Sequence, residues 1–149
     1  MEVTRIRALR GPNLWSRHTA IEAVVKCDKT ELSLAKTPFE KRLRERFPRM
    51  GGLRSPASIA HVLEQATLAL QAQAGCPVSF SRTTATQEPG VFQVVVQYTE
   101  EAVGRLALTR AEQLCRAALA GEPFDTAATL AELQLNRSEE RRVGKECRS

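Results

Sequence analysis

The feature that most constrains the fold is an apolar stripe along residues 56–74. Its members recur at helical spacing, which predicts an amphipathic helix with one buried face. Gly75 and the nearby Pro77 mark the point where that helix stops. Such a helix needs a second layer to cover its apolar face, so the rest of the chain must provide one. The stripe consists of Ile59, Leu63, Ala66 and Leu70.

Shorter segments with alternating or β-branched residues supply that layer. We predict four strands, two before this helix and two after it. Gln87-Glu88-Pro89-Gly90 separates the last two strands and predicts a hairpin. The predicted strands are 3–9, 20–27, 78–84 and 91–98.

Helix-start signals place three further helices. Thr37, Pro38 and Glu40 predict a capped helix over 40–47 with a capping box. Thr99 and Asp125 are predicted to cap two later helices, the last ending near Leu135. The order is β-β-α-α-β-β-α-α, and few of these connections suit parallel crossovers. We therefore predict an α+β fold with a mainly antiparallel four-stranded sheet and helices packed on one face.

Charge is distributed unevenly along the chain, whose net charge is +5. Residues 1–54 carry 13 Lys and Arg against 6 Asp and Glu, whereas residues 55–136 carry 4 against 8. An anionic partner would therefore meet the first third, although a solvated helix face is the simpler explanation. No apolar run is long enough to cross a membrane. Four separated cysteines without a CxxC pair indicate free thiols and a cytoplasmic protein.

The last 13 residues, RSEERRVGKECRS, differ in kind from the rest of the sequence. They lack apolar periodicity and resemble a translated sequencing adapter. We therefore expect residues 1–136 to form one domain and residues 137–149 to be an artefactual, disordered tail. The natural polypeptide is expected to continue past about Asn136.

His61, Glu64 and Gln65 lie together on the predicted helix 56–74, opposite its apolar stripe. HxxEH on a helix is a zinc-peptidase signature with two histidine ligands and a glutamate base. Here Gln65 stands at the second histidine position, and glutamine is a poor zinc ligand. We expect no catalytic residue and no metal here, and a polar helix face is the simpler interpretation.

Two other groups are candidates for binding. Arg82 near a strand end could bind a carboxylate, although an exposed surface arginine is the simpler explanation. Trp15, the only tryptophan, follows a Gly-Pro-Asn turn with Arg10 and Arg17 nearby, and could stack on a planar group or cover the core. Neither GxxxxGK[ST] nor GxGxxG occurs, so we predict no nucleotide site of those types.

From Met1 to about Leu135 the chain resembles the N-terminal domain of the cyanophycin synthetase family. The resemblance is carried by short pieces that occur in matching order and spacing. They are Leu9-Arg10-Gly11-Pro12-Asn13 with Trp15-Ser16, His61 with Glu64, Gly75 with Pro77-Val78, Phe80 with Arg82-Thr83, Pro89-Gly90-Val91-Phe92-Gln93-Val94-Val95, Tyr98 with Glu100-Glu101, and Gly104-Arg105.

The resemblance implies a parent ligase that builds multi-L-arginyl-poly-L-aspartate with ATP and Mg²⁺ in two modules absent from this sequence. It implies that this domain holds the polymer, contacts the remaining ligase domains and contributes to a homo-oligomer. This fragment alone is then expected to be non-catalytic and to need no cofactor. The candidate polymer contacts are Arg10, Trp15, Arg17, Arg54 and Arg82.

Two alternatives remain open. Some family members use the HxxEH helix as a metal-dependent hydrolytic site that trims polymer into primers, which would make this chain a degenerate hydrolase. The basic helix 40–47 would instead suit a nucleic-acid binder. Against that alternative, only Phe39 and Phe47 interleave its charges with aromatic rings.

Overall fold

The computed structural model describes residues 1–9, 19–34, 37–50 and 58–148, and it describes side chains as far as residue 137. Two strands, two helices, two strands and two helices follow one another, so the predicted order is confirmed. The elements are β1 Glu2–Leu9, β2 Ala20–Lys26, α1 Pro38–Arg46, α2 Ile59–Gln73, β3 Ser81–Ala85, β4 Val91–Gln97, α3 Glu101–Ala120 and α4 Thr126–Arg148.

The strands form one antiparallel sheet in the order β1-β2-β4-β3. Alternation of side chains divides the sheet into two faces. On one face, Ile21 pairs with Val96 and Ala23 pairs with Val94, and all four belong to the core. The predicted α+β architecture, with helices on one face of the sheet, is therefore confirmed.

The helices form a layer on the apolar face. α2 packs on β3 and β4, α3 packs along α2, and α1 and α4 pack against α3. The predicted stripe of α2 is fully buried. Gly104 lets α3 approach the sheet, because a Cβ added there would lie 2.6 Å from the Cβ of Tyr98.

Several predicted helix and strand ends are confirmed. Gly75 follows α2 with φ +91°, and Gly90 closes the β3–β4 hairpin with φ +78°, two conformations that glycine adopts without strain. The carboxylate of Asp125 accepts a hydrogen bond of 2.9 Å from the amide of Ala128, as expected of an N-cap.

Other predicted ends were right only in part or were displaced. Thr37 is the N-cap of α1 and Pro38 its first residue, as predicted, but the Thr37 hydroxyl donates to the carbonyl of Leu34 and makes no cap bond, so the predicted capping box does not form. The N-cap of α3 is Glu100, one residue after the predicted Thr99. Ser58 has extended backbone and caps α2 through its hydroxyl, so α2 begins later than the predicted Pro56.

The last helix also differs from the prediction. The backbone of α4 continues to Arg148, past the expected end near Leu135 and through residues expected to be disordered. No proline interrupts these residues, which are rich in Glu, Arg and Lys, good helix formers. The Arg137 guanidinium donates to the carbonyl of Ala74 at the end of α2, at 3.1 Å. The assignment of residues 137–149 to an artefactual tail stays a prediction.

Candidate functional site

Arg82 lies in a cross-strand row on the sheet face opposite the helices. Register places Arg7, Glu22, Val95 and Arg82 side by side on the four strands in turn. With neighbouring strands about 4.8 Å apart, the two arginines are separated by about 14 Å at the backbone. Arg5 lies on the same face one row away, opposite Val24. This face therefore carries guanidinium groups on both edge strands.

The arginines of this face differ in their partners. Arg7 donates to the carboxylate of Glu22 at 3.0 Å, and Glu22 is only 3% exposed. Arg5 and Arg82 are exposed and have no ion-pair partner within the described parts of the chain. Arg7 therefore neutralises a buried charge, while Arg5 and Arg82 form no ion pair with any residue that the structure describes. We call Arg5, Arg7 and Arg82 the cationic sheet face.

Four of the five predicted polymer contacts fall outside the described residues: Arg10, Trp15, Arg17 and Arg54. Residues 10–18 join the end of β1 at Leu9 to Thr19, whose carbonyl accepts from the amide of Tyr98. Leu9, Ala20 and Gln97 are paired across β1, β2 and β4, one row along the same face from the row that contains Arg82. The end of the sheet at which residues 10–18 are attached is therefore next to Arg82 at the start of β3.

Two arginines of α1 donate hydrogen bonds to main-chain carbonyls of the same protein. Nε of Arg46 donates to the carbonyl of Glu122 at 2.6 Å, and Nη1 of Arg42 donates to the carbonyls of Ala118 and Leu119 at 3.3 and 3.4 Å. These carbonyls lie at or just after the C-terminus of α3, where helical partners run out. We call Arg42 and Arg46 the α1 clamp.

The remaining basic residues of α1 offer little to a nucleic acid. Arg44 forms an ion pair with Glu40 one turn earlier, at 3.4 Å. Lys41 is exposed. Phosphate recognition by a helix needs several free cations along one face. Two arginines of α1 therefore direct donors at main-chain carbonyls and a third pairs with Glu40, which leaves fewer free donors for phosphate groups.

His61 and Glu64 on α2 face the edge of the sheet. Nδ1 of His61 lies 2.7 Å from the hydroxyl of Ser58, and its ring meets Phe92 edge to face at 5.9 Å. The two carboxylate oxygens of Glu64 each accept one hydroxyl, from Ser81 and from Thr83, both at 2.5 Å. These bonds fix the orientation of the Glu64 carboxylate against β3.

A cleft of about 530 Å³ opens beside Glu64. Glu64 and Gln65, which the sequence places on the polar side of α2, line this cleft. The serines and the threonine around Glu64 were not among the predicted site residues. Strand alternation could have found Ser81 and Thr83, which share one face of β3. The cleft is lined by Met50, Glu64, Gln65, Leu68, Ala69, Ser79 and Ser81.

The described residues contain no group of three or more His, Cys, Asp or Glu side chains placed to hold a metal ion. A catalytic zinc site uses three protein ligands. Here Nδ1 of His61 lies in hydrogen-bond contact with Ser58, and both oxygens of Glu64 accept hydroxyl groups. That no metal binds here stays a prediction.

The cysteines that the structure describes are free thiols in protected places. Burial raises the pKa of Cys27 to about 11 and that of Cys115 to about 12. Cys76 is buried, and its thiol donates to the carboxylate of Glu100. Because a thiolate is the reactive form, neither Cys27 nor Cys115 is prepared to act as a nucleophile near neutral pH.

Within the described residues, no helix has both the length and the apolar composition that a bilayer crossing requires.

Comparison with known proteins identifies relatives of this chain. Residues 50–120 match the family model described as the cyanophycin synthase-like N-terminal domain. The cyanophycin synthetases of Trichormus variabilis and of a Nostoc species are each 36% identical over 138 aligned positions, which cover 78% of this chain. The cyanophycin synthetase of a Synechocystis species is 31% identical over 136 positions. The matched part covers about 15% of the length of each relative.

Proposed function

We propose that this chain, which belongs to the cyanophycin synthetase N-terminal domain family, holds the arginine–aspartate polymer at its cationic sheet face. The observation that carries the proposal is the contrast between two arginine sets. Arg5 and Arg82 are exposed and unpaired within the described part of the chain, whereas the α1 clamp is occupied by main-chain carbonyls. A polymer rich in carboxylates and guanidinium groups would meet its free cationic partners on the sheet.

Weak, repeated contacts suit such a role. An exposed ion pair contributes about 0–1 kcal/mol and is screened by salt. A long polymer with many equivalent groups gains avidity because each further contact forms at high effective concentration. The domain would then keep the growing chain near the enzyme while allowing it to slide. Arg10, Trp15, Arg17 and Arg54 remain proposed contacts of the polymer.

The remaining parts of the proposal concern the parent protein. It would be an ATP- and Mg²⁺-dependent ligase that assembles the polymer in the cytoplasm as a homo-oligomer, with this domain bound to the other ligase domains. No catalytic step is assigned to the present chain. No specific contact supports the hydrolase or nucleic-acid alternatives. The described residues hold no group of three or more potential metal ligands, and Arg42 and Arg46 donate to main-chain carbonyls.

The test is binding of the purified full chain to immobilised polymer at several salt concentrations. We expect weak binding that falls as salt rises, and a loss of about fivefold to tenfold when Arg5→Gln and Arg82→Gln are combined. The matched control is Arg105→Gln combined with Arg116→Gln, which removes the same charge from exposed positions on α3. Arg7 is left unchanged, because its replacement would leave the buried Glu22 carboxylate without its ion-pair partner.

Binding that persists undiminished at 1 M salt would contradict the proposal. So would equal losses in the sheet and α3 variants, because net charge alone would then govern the interaction. A parallel gel shift with a DNA oligonucleotide distinguishes the nucleic-acid alternative. If the chain shifts DNA more readily than it binds polymer, and the sheet variant removes that shift, the face serves a nucleic acid instead.

A further inference from the structure

The cleft beside Glu64 has a chemistry unlike the rest of this basic protein. Among the lining residues that the structure describes, Glu64 is the only charged one. Gln65, Ser79 and Ser81 add neutral oxygen acceptors, and Met50, Leu68 and Ala69 form an apolar wall. The described part of the cleft therefore combines one carboxylate, several neutral acceptors and an apolar surface.

The Glu64 carboxylate is held in place but not neutralised. Each of its oxygens accepts one hydroxyl, from Ser81 or Thr83, and hydroxyl groups bring no positive charge. A carboxylate offers about four lone-pair positions, so each oxygen retains the capacity to accept another donor. No ion pair to Glu64 occurs within the part of the chain that the structure describes. The side chain is half-buried and borders the cleft.

We infer that this cleft binds the guanidinium end of an arginine side chain. A guanidinium is planar and donates two parallel hydrogen bonds to a carboxylate, so it can use both oxygens of Glu64. It is also weakly hydrated, and its flat face and alkyl stem pack on apolar atoms such as those of Met50 and Leu68. Ser79 and Gln65 present further oxygens for its outer N–H groups.

Other cations fit this cleft less well. An ammonium group is a compact, strongly hydrated point charge that makes no use of the apolar wall or the fixed carboxylate plane. A divalent metal would need more ligands than one carboxylate, and the described lining residues include no His, Cys or second carboxylate. The inference deepens the proposed function, because the polymer carries arginine side groups that the cationic sheet face would not bind.

The experiment uses the full chain and a small probe, so that it does not depend on the polymer. The ¹⁵N-labelled protein is titrated with N-acetyl-arginine amide, and amide shifts are followed by NMR. We expect saturable shifts in α2 around Gln65 and in β3 around Ser81, with millimolar affinity. N-acetyl-lysine amide should bind at least threefold more weakly. Glu64→Gln should weaken the arginine probe about tenfold.

Two further variants make the result unambiguous. Glu88→Gln removes the same charge from the exposed hairpin and should leave probe binding unchanged. Ser79→Arg places a guanidinium at the mouth of the cleft and leaves the hydrogen bonds of Glu64 intact. Because this guanidinium would occupy the site, the variant should weaken probe binding about as much as Glu64→Gln does. It keeps the test valid even if Glu64→Gln loosens β3.

The inference is overturned if the shifts map elsewhere, if the lysine probe binds equally well, or if Ser79→Arg leaves binding intact. Its failure is separable from that of the proposed function. If Arg5→Gln with Arg82→Gln weakens polymer binding but the arginine probe does not shift the cleft residues, the sheet-face proposal is supported and the guanidinium site is rejected. If the probe binds the cleft but the sheet variant binds polymer normally, only the cleft site is supported.

Discussion

The α1 clamp and the cationic sheet face contain the same chemical group put to different uses. In α1, Arg42 and Arg46 donate to carbonyls around the C-terminus of α3, so their charge and hydrogen bonds serve the fold. On the sheet, Arg5 and Arg82 are exposed and unpaired among the described residues. The comparison teaches that the density of basic residues along a sequence does not reveal which of them can meet a partner. Their hydrogen-bond partners do.

The largest expected effect comes from removing the clamp. Replacing Arg42 and Arg46 together with Met keeps the aliphatic packing and leaves carbonyls at the end of α3 without those donors. We expect the free energy of unfolding to fall by about 2 kcal/mol, since hydrogen bonds to charged groups contribute about 1.5–3 kcal/mol each and these are partly exposed. Urea denaturation followed by circular dichroism measures the change.

The control for the clamp removes the same two charges from exposed positions nearby. Lys41→Met combined with Arg49→Met should change the free energy of unfolding by less than about 0.5 kcal/mol. If the control were as destabilising as the clamp variant, loss of charge or added apolar surface would explain the result. The distinction between engaged and available arginines would then be lost.

A second, smaller effect sharpens the comparison within the sheet itself. Arg7→Gln leaves the Glu22 carboxylate buried without its ion-pair partner. We expect this to cost about 1 kcal/mol, because Arg7 is itself half exposed and solvent screens part of the interaction. Arg5→Gln on the same strand should be close to neutral. Thermal unfolding of the two variants side by side provides the measurement, and equal melting temperatures would contradict this assignment.

A third expected effect is pH-dependent and arises at the 3-10 turn Lys29–Glu31. The Asp28 carboxylate accepts hydrogen bonds from the Thr30 hydroxyl and from the amides of Thr30 and Glu31. These bonds lower the pKa of Asp28 below its ordinary value of 3.8. Because the folded pKa is the lower one, the ionised group stabilises the fold above about pH 4. That contribution is lost as pH falls through the folded pKa.

Asp28→Asn tests this by removing the titration while retaining an acceptor at the cap. Wild type should melt above the variant at pH 6, and the difference should shrink steadily between about pH 4 and pH 2. Melting temperatures at a series of pH values follow the effect. A gap that stays constant down to pH 2 would show that the carboxylate charge at Asp28 does not matter.

The fold could largely be predicted from the sequence because its elements depend on local patterns. The stripe of α2, the turn at Gly90 and the Asp125 cap are signals within a few residues, and the structure agrees with each. Thr37 is the N-cap of α1 as predicted, but its hydroxyl donates to the carbonyl of Leu34 instead of accepting a hydrogen bond from the helix. Asp28 with Glu31 forms the capping box instead, at a short turn that periodicity does not reveal.

The candidate sites depend on contacts between distant parts of the chain, which the sequence does not display. Arg46 and Glu122 are 76 residues apart, and Glu64 and Thr83 are 19 apart. No spacing rule links such pairs. The prediction singled out Glu64 for a motif whose second histidine is absent, but it could not find the hydroxyls that hold this carboxylate. Those hydroxyls decide what the carboxylate can do.

The smallest expected effect follows from that point. Gln65→His restores the second histidine of the HxxEH motif, yet we expect no zinc-dependent cleavage of polymer. The substitution adds one histidine beside His61 and Glu64. The described residues provide no further His, Cys, Asp or Glu there, so three zinc ligands and a separate general base are not all supplied.

Incubation with zinc and polymer, followed by counting of new chain ends, tests the expectation, with the unaltered chain as control. Zinc-dependent ends from the Gln65→His variant alone would mean that the site is a relic lacking a single ligand. In that case Ser58, Ser81 and Thr83 would be supports for a metal centre. Without such cleavage, we interpret the Glu64 carboxylate, which the Ser81 and Thr83 hydroxyls hold in place, as a binding group. The protein would then use its own arginines in the α1 clamp and on the cationic sheet face, and would bind an arginine of another molecule in the cleft beside Glu64.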